Sequence, residues 1–388
     1  MSSSTPDDRI KVLIAMEGVL GGTLRHLDYL LRFTDPREFD VHLAVSAHRA
    51  PHVRAYFRRW IHDGRRVHEV AMRREISPDA DLRALRRFTT LCRRERFDVV
   101  HTHCAKAGFL GRMAARAAGA RTIHTPHVFP FSHVGGPVAR ELYLALERLA
   151  ARWTNRFVLL SNYQLNVLLD ARLADADRAA LVPNGIVPEE FVGPSRDEAR
   201  RQLSLPAEAP IALFAGRFRE QKGLDVLVEA ASCLEGAPPD LQIVIVGEGP
   251  LGEWLEEQIE ARGLAERVIV HGLADAMAPY YAACDVVVMP SRAEGMPYVL
   301  LEAKAAGRPA VASLVSGMEE FIEHGRDGWL VPPENPDALA GTMAEVLCDR
   351  AATEQAGRRA RESLRPEWHA GRTAEHIQEL YRALAEAD

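Results

Sequence analysis

The chain has 388 residues, too many for one compact core, so two domains are expected. Its composition, 47% hydrophobic and 26% charged, excludes wholesale disorder, and no apolar run approaches the length that spans a bilayer. A net charge of −6 with no nucleic-acid-binding motif argues against a nucleic-acid partner.

The first nine residues, MSSSTPDDR, are polar and carry no signal-peptide pattern. Five cysteines (Cys92, Cys104, Cys233, Cys284 and Cys348) are odd in number and never spaced as CxxC. They read as reduced core thiols of a cytoplasmic protein, not a disulfide or zinc frame. Short β-branched runs then alternate with longer helical patterns. KVLIAM, FDVHLAV, FDVVHTH, RTIHTPH, RFVLLS and AALVPN are strand candidates in the first half; IALFAG, LQIVIVG, RVIVHG, DVVVMPS, PAVAS and GWLVP follow in the second. Apolar strands separated by helices are the pattern of parallel sheets buried on both faces. The predicted fold class is α/β, with two doubly wound Rossmann-like domains.

Between Arg49 and Arg96 there are 14 arginines against 6 acids. Within that stretch RAYFRRWIHDGRRVHEVAMRR interleaves arginines with Tyr56, Phe57 and Trp60. It reads as a solvated helix with its aromatics turned inward, or as a surface for an anionic membrane or acceptor. Pro183 to Pro210 holds five of the 23 prolines and little apolar periodicity, so it reads as the connector. The predicted division is an N-terminal domain over 1–188, a linker over 189–208, a C-terminal domain over 209–366 and a last helix over 367–388. That helix, with Trp368, Ile377, Leu380, Tyr381 and Leu384 on one face, is expected to pack back on the N-terminal domain.

Several motifs invite chemistry and are better read as structure. Asp79 and Asp81 in SPDADL follow Pro78 at a helix start, where acids favour the dipole, and Asp175 and Asp177 in LADADR sit in a polar turn. His101 and His103 share one face of a strand, and His124 and His127 follow, but no metal-binding spacing accompanies them; packing or hydrogen bonding is the expectation. VGEGPLG matches GxGxxG after a strand, yet the next strand ends in His271 and Gly272 without the acid a nicotinamide site wants.

Two elements resist that reading. In IALFAGRFREQKGLDVLVEA, Arg217 and Lys222 place two cations where a strand meets its crossover helix, and Lys222 is one of only four lysines against 44 arginines. In SRAEGMPYVLLEAKAAG, a helix is predicted from about Pro297 to Ala306. Glu294 precedes its start and Glu302 lies within it, so both carboxylates can reach one elongated, hydroxyl-rich ligand at the helix N-terminus. A structural partner for Glu302, such as Arg308, is the alternative. Together the cations and the acids suggest a diphosphate beside sugar rings.

GRFREQKGLDVLVEA, VGEGP, VIVHG and SRAEGMPYVLLEAKAAGRPAVAS, in that order, resemble the donor half of retaining family 4 glycosyltransferases of the GT-B fold, in which two such domains face across a cleft. EGVLGGTLRHLDYLL, FDVVHTHCAKAGFLGRMAARAAGARTIHTPHVF and LVPNGI are similar to N-terminal segments of that family. The resemblance implies that Arg217 and Lys222 neutralise the donor diphosphate and that Glu302 holds the ribose. Glu294, with backbone N–H groups near Gly295, Met296 and Pro297, would hold the transferred sugar. Gly21 and Gly22 would let the first loop approach the phosphates. His127 would sit beside the reacting sugar, and the base would lie near Gly247, Gly249, His271 and Leu273. Met296-Pro297 and Met318 depart from the residues common in relatives, which leaves the donor sugar open.

The expected activity is retaining transfer of a sugar from a nucleotide diphosphate sugar, with UDP as the default base, to a lipid-linked, polysaccharide or small-molecule acceptor. No metal and no cofactor are implied, the nucleotide-sugar being the substrate. The rivals are a nucleotide-sugar epimerase on the same fold and a non-catalytic nucleotide-sugar-binding protein. The expected location is the cytoplasm, with peripheral contact at the inner face of an anionic membrane as a further option.

Overall fold

The computed structural model describes residues 8–48, 51–73, 75–132 and 134–387. Arg49 and Arg74 of the basic stretch, and residues 1–7 of the polar N-terminal segment, lie outside the described residues. The chain forms two compact units, residues 1–184 with 370–388, and residues 185–369.

The first unit is built on a seven-stranded parallel sheet: β1 Ile10–Met16, β2 Phe39–Val45, β3 Arg66–Glu69, β4 Val99–His103, β5 Arg121–Thr125, β6 Arg156–Leu159 and β7 Ala179–Leu181, in spatial order β3-β2-β1-β4-β5-β6-β7. Its helices are α1 Gly22–Phe33, α2 Arg54–His62, α3 Pro78–Glu95, α4 Lys106–Ala118, α5 Pro137–Ala151 and α6 Asn162–Asp170. Because side chains alternate along a strand, β1 serves two cores at once. Val12, Ile14 and Met16 join α1 residues such as Leu27 and Leu30, whereas Leu13 and Ala15 join Phe88 of α3 and Leu110 of α4.

The basic stretch is not one helix. α2 ends at His62, Gly64 turns the chain at φ 81°, and Arg66–Glu69 becomes the edge strand of the sheet. Phe57 and Trp60 are buried as expected of the inward face, while several arginines are tied down in ion pairs, Arg54 with Glu69 and Arg59 with Asp28.

The second unit carries a six-stranded parallel sheet: β8 Ile211–Ala215, β9 Gln242–Val246, β10 Val268–His271, β11 Val286–Met289, β12 Ala310–Ser313 and β13 Gly328–Val331, in order β10-β9-β8-β11-β12-β13. Its helices are α7 Arg196–Gln202, α8 Leu224–Ser232, α9 Gly252–Ala261, α10 Ala278–Ala283, α11 Tyr298–Ala305, α12 Pro336–Cys348 and α13 Arg350–Glu362. Residues 189–208, read from the sequence as a linker, are built into this unit. They contain α7, whose Arg196 and Arg200 both pair with Asp285 at the start of β11, and Asp285 also accepts from the Ile211 amide at 2.8 Å.

The last helix, α14 Ala370–Ala385, belongs to the first unit. Ile377, Tyr381 and Leu384 are buried in its core, and the Tyr381 hydroxyl lies 2.7 Å from His101 Nδ1. Trp368 precedes α14 and stays in the second unit against Phe321. All five cysteines are free, but only Cys92 and Cys284 are core thiols; Cys104 is half-buried, and Cys233 and Cys348, at the C-terminal ends of α8 and α12, are exposed. Among the described residues no helix is long and apolar enough to cross a membrane.

Candidate functional site

In the second sheet the chain moves one way from β8 through β9 to β10, then restarts beside β8 and moves the other way through β11, β12 and β13. The loops leaving β8 and β11 therefore diverge at their C-terminal ends, and the crevice between them is where open α/β sheets bind ligands. Lys222 is on the first of these loops and Glu294 on the second. Lys222 Nζ lies 2.7 Å from Glu294 Oε1, joining the two across the point of divergence. Ser291 Oγ donates to the same carboxylate oxygen at 2.7 Å, and the Glu294 amide donates to Ser316 Oγ at 3.3 Å in the loop after β12.

A second set of contacts locks the two loops together. Gln221 Nε2 donates to the Ala293 carbonyl at 2.9 Å, and the Arg292 amide donates to the Gln221 carbonyl at 2.8 Å. The Arg292 guanidinium reaches the Glu220 carbonyl and both carboxylate oxygens of Asp225 in the first turn of α8. Those hydrogen bonds hold the Asp225 carboxyl below the usual carboxylate range. Lys222 and Glu294 are thus presented by a braced pair of loops, which limits how far either can swing when a ligand enters.

Arg217 opens the β8 loop and is half-buried. The next loop along, after β9, is pressed onto it. A Cβ on Gly247 would stand 1.9 Å from the Gly216 carbonyl oxygen, and one on Gly249 would stand 2.5 Å from that of Phe218. Both glycines have positive φ, 146° and 157°. Their α-carbons face protein backbone, so loop-on-loop packing alone demands glycine at each. His271 ends β10 with its Nδ1 2.9 Å from the Tyr280 hydroxyl, and Leu273 just beyond is 67% exposed.

α11 begins at Tyr298, with Pro297 as its N-cap residue, and Gly295, Met296 and Pro297 are buried. Glu302 is 3% exposed and its Oε2 accepts a 2.7 Å hydrogen bond from Tyr281 of α10. Arg308, weighed as its partner, instead donates to the Ala282 carbonyl at 2.9 Å. The loops and helix end at one edge of this sheet hold Arg217, Lys222, Gly247, Gly249, His271, Leu273, Glu294 and Gly295 to Pro297.

Gly21, Gly22 and His127 belong to the first unit, whose own change of direction lies between β1 and β4. Gly21, at φ 54°, is the N-cap residue of α1 and Gly22 its first residue. The preceding Glu17 is buried and accepts from the Lys106 and Ala107 amides at 3.1 and 3.0 Å, anchoring the β1 loop to the start of α4. His127 follows β5 with φ 57°, held there by Gln164 Nε2 on its carbonyl at 2.7 Å. Its Nε2 is 3.0 Å from His103 Nδ1. Burial pushes the pKa values of His101, His103, His124 and His127 well below the ordinary imidazole value, and that of His26 to about 4, so these rings are neutral near pH 7.

Asp79 and Asp81 stand in the first turn of α3, where Asp81 accepts from the Ser77 amide and pairs with Lys106 at 2.7 Å. Asp175 precedes a short 3₁₀ turn. Sequence reasoning missed Tyr281, Gln221, Arg292, Ser316 and Gln164. Only Gln164 left a signal: SNYQ has the S-x-x-Q spacing of a capping box, and Gln164 N does donate to Ser161 Oγ at 3.2 Å.

Residues 195–363 match the family of glycosyl transferases group 1, and residues 21–185 match the glycosyl transferase 4-like domain. The chain is 31% identical over 283 residues, 71% of its own length and 73% of the relative's, to the Escherichia coli UDP-Gal:alpha-D-GlcNAc-diphosphoundecaprenol alpha-1,3-galactosyltransferase. Its fold is similar to that of sucrose-phosphate synthase from Thermosynechococcus elongatus, with TM-score 0.81 at 24% identity, over 98% of this chain and 100% of that one. It is likewise similar to Anabaena HepE in complex with UDP and glucose, with TM-score 0.82 at 20% identity, over 97% and 100%.

Proposed function

Because this chain belongs to the family 4 glycosyltransferases of the GT-B fold, we propose that it moves a sugar from a UDP-sugar to a lipid-linked or small-molecule acceptor, with retention at the anomeric carbon. The observation that carries the reading is the Lys222–Glu294 contact at the sheet's change of direction. In the free protein each group satisfies the other. When donor enters, the diphosphate takes Lys222, together with Arg217, and Glu294 turns its acceptor oxygens to the sugar hydroxyls. Glu302 holds the ribose, and the base lies beside His271 and Leu273.

The reaction breaks the bond between the anomeric carbon and the diphosphate oxygen and forms one from the acceptor oxygen on the same face. The acceptor's proton passes to the departing diphosphate. Lys222 and Arg217 stabilise the charge that develops there, so the diphosphate itself requires no metal. UDP is favoured because the E. coli relative's name gives UDP-Gal as its donor and HepE was solved with UDP. A lipid-linked acceptor is favoured by that same relative's diphosphoundecaprenol substrate and by the α3 surface. There Arg86 and Arg87, with Arg94 paired to Glu95, rim a mostly apolar groove of about 380 Å³ floored by Val70 and Leu91. This basic face also suits peripheral contact with anionic lipid.

The test is release of UDP from a panel of UDP-sugars, with and without an undecaprenyl-diphosphate-linked sugar. Lys222→Ala is expected to lower kcat by about 100-fold or more, as loss of one transition-state cation does, while circular dichroism stays unchanged. A near-wild-type rate removes Lys222 from the mechanism. Isomerised donor formed without acceptor marks an epimerase, and donor binding without turnover marks a binding protein.

A further inference from the structure

The histidines of the first unit divide into two groups. His101 is hydrogen-bonded at both nitrogens, to Tyr381 at 2.7 Å and Thr125 at 2.8 Å, and His124 Nδ1 is engaged by Thr102. These two rings fit the packing role expected of them. His26, from α1, joins His103 and His127 in a different arrangement that the spacing in the sequence does not suggest. One ring nitrogen from each lies within 4.8 Å of those from the other two.

We propose that His26, His103 and His127 form a binding site for one divalent transition ion of the zinc class, separate from the donor diphosphate site. An ion at the centre of the three atoms lies within about 2.8 Å of each, against about 2.0–2.1 Å for a Zn–N bond, so closure needs shifts of less than about 1 Å. The tautomers suit it. His26 Nδ1 is 3.2 Å from Asn184 Oδ1, an acceptor, which places the proton on Nδ1 and the lone pair on Nε2. A ligating histidine whose other nitrogen donates to a carbonyl oxygen is the usual outer-shell arrangement.

His103 Nδ1 and His127 Nε2, 3.0 Å apart, hold one proton between two neutral rings; on ligation the ion takes that proton's place, and the proton moves to the outer nitrogen of the ring that carried it. His103 Nε2 is buried and has no hydrogen-bond partner among the described residues. Burial keeps imidazole in the neutral form that ligates metal. Three imidazoles without a carboxylate select zinc, cobalt, nickel or copper over magnesium or calcium, and three protein ligands leave a fourth position open.

The probe is Co²⁺ added to the full-length protein after chelator treatment. A single equivalent should produce the visible bands of a four-coordinate Co²⁺–imidazole centre, and Zn²⁺ should abolish them one for one. His103→Ala and His26→Gln should each weaken Co²⁺ binding about tenfold or more, and Asn184→Ala should weaken it with all three rings intact. UDP-induced thermal stabilisation should be the same in His26→Gln as in the wild type, which separates this site from the donor site. Absence of a saturable one-equivalent spectrum in the wild-type protein overturns the proposal without any variant. So does Co²⁺ affinity that is unaltered in His26→Gln and His103→Ala.

Discussion

Glu302 has two carboxylate oxygens, and the Tyr281 hydroxyl occupies one of them at 2.7 Å. The ribose role assigned to it can be separated from this structural bond. Glu302→Gln keeps a carbonyl oxygen for Tyr281 and nearly the same volume, but removes the charge that makes adjacent ribose hydroxyls good donors to it. A hydrogen bond to a charged group is worth about 1.5–3 kcal/mol, so UDP affinity by calorimetry should fall about tenfold to 100-fold with the melting temperature little changed. An unchanged Kd would leave Glu302 with a structural role only. At this scale the charged groups were legible because they are out of character: a rare lysine, and an acid within an apolar helix. Tyr281, Gln221 and Arg292 were not, because each acts through a bond to a loop or helix distant in sequence, and spacing along the chain carries no trace of it.

The elements themselves were easier to read than their ends. Twelve runs of apolar residues became strands because a parallel sheet buried on both faces needs no polar alternation. The thirteenth, β3, was hidden: an edge strand buries little, and Arg66–Glu69 has the charge of a solvated helix. Gly247 shows how a sequence motif and a structural need coincide. VGEGPLG looks like a phosphate loop, yet the chain needs glycine there to let the loop after β9 lie on the loop that carries Arg217. Gly263, at φ 65° with open space around it, isolates the conformational cost, so Gly263→Ala should lose about 1 kcal/mol in urea denaturation. Gly247→Ala adds a collision with the Gly216 carbonyl and should lose more than about 2 kcal/mol, while also raising KM for donor by displacing Arg217. Equal losses at the two positions would mean that the loops yield freely.

At the scale of the molecule the chain leaves the first unit once and returns to it. The two crossings run side by side: the Ile186 amide donates to the Trp368 carbonyl at 2.9 Å, and Thr373 Oγ1 donates to the Pro183 carbonyl at 2.9 Å. The sequence showed the amphipathic stripe of α14, and the structure supplies what covers it: α1, β1 and β4 of the first unit. Burying Ile377, Tyr381 and Leu384 contributes roughly 1.5–3 kcal/mol each, to which the His101 hydrogen bond and the Arg382–Glu38 ion pair add. That sum is comparable to the whole stability of a typical domain, about 5–15 kcal/mol. Deleting residues 370–388 should therefore unfold the first unit, whereas the second closes its core with residues of its own. Hydrogen exchange on the truncated chain should show β1, β2 and β4 unprotected and β8, β9 and β11 still protected. Tyr381→Ala should produce the milder form, a loss of about 3–5 kcal/mol confined to the first unit. Protection of β1 surviving the deletion would show that α14 is an appendage and that the first sheet is complete without it.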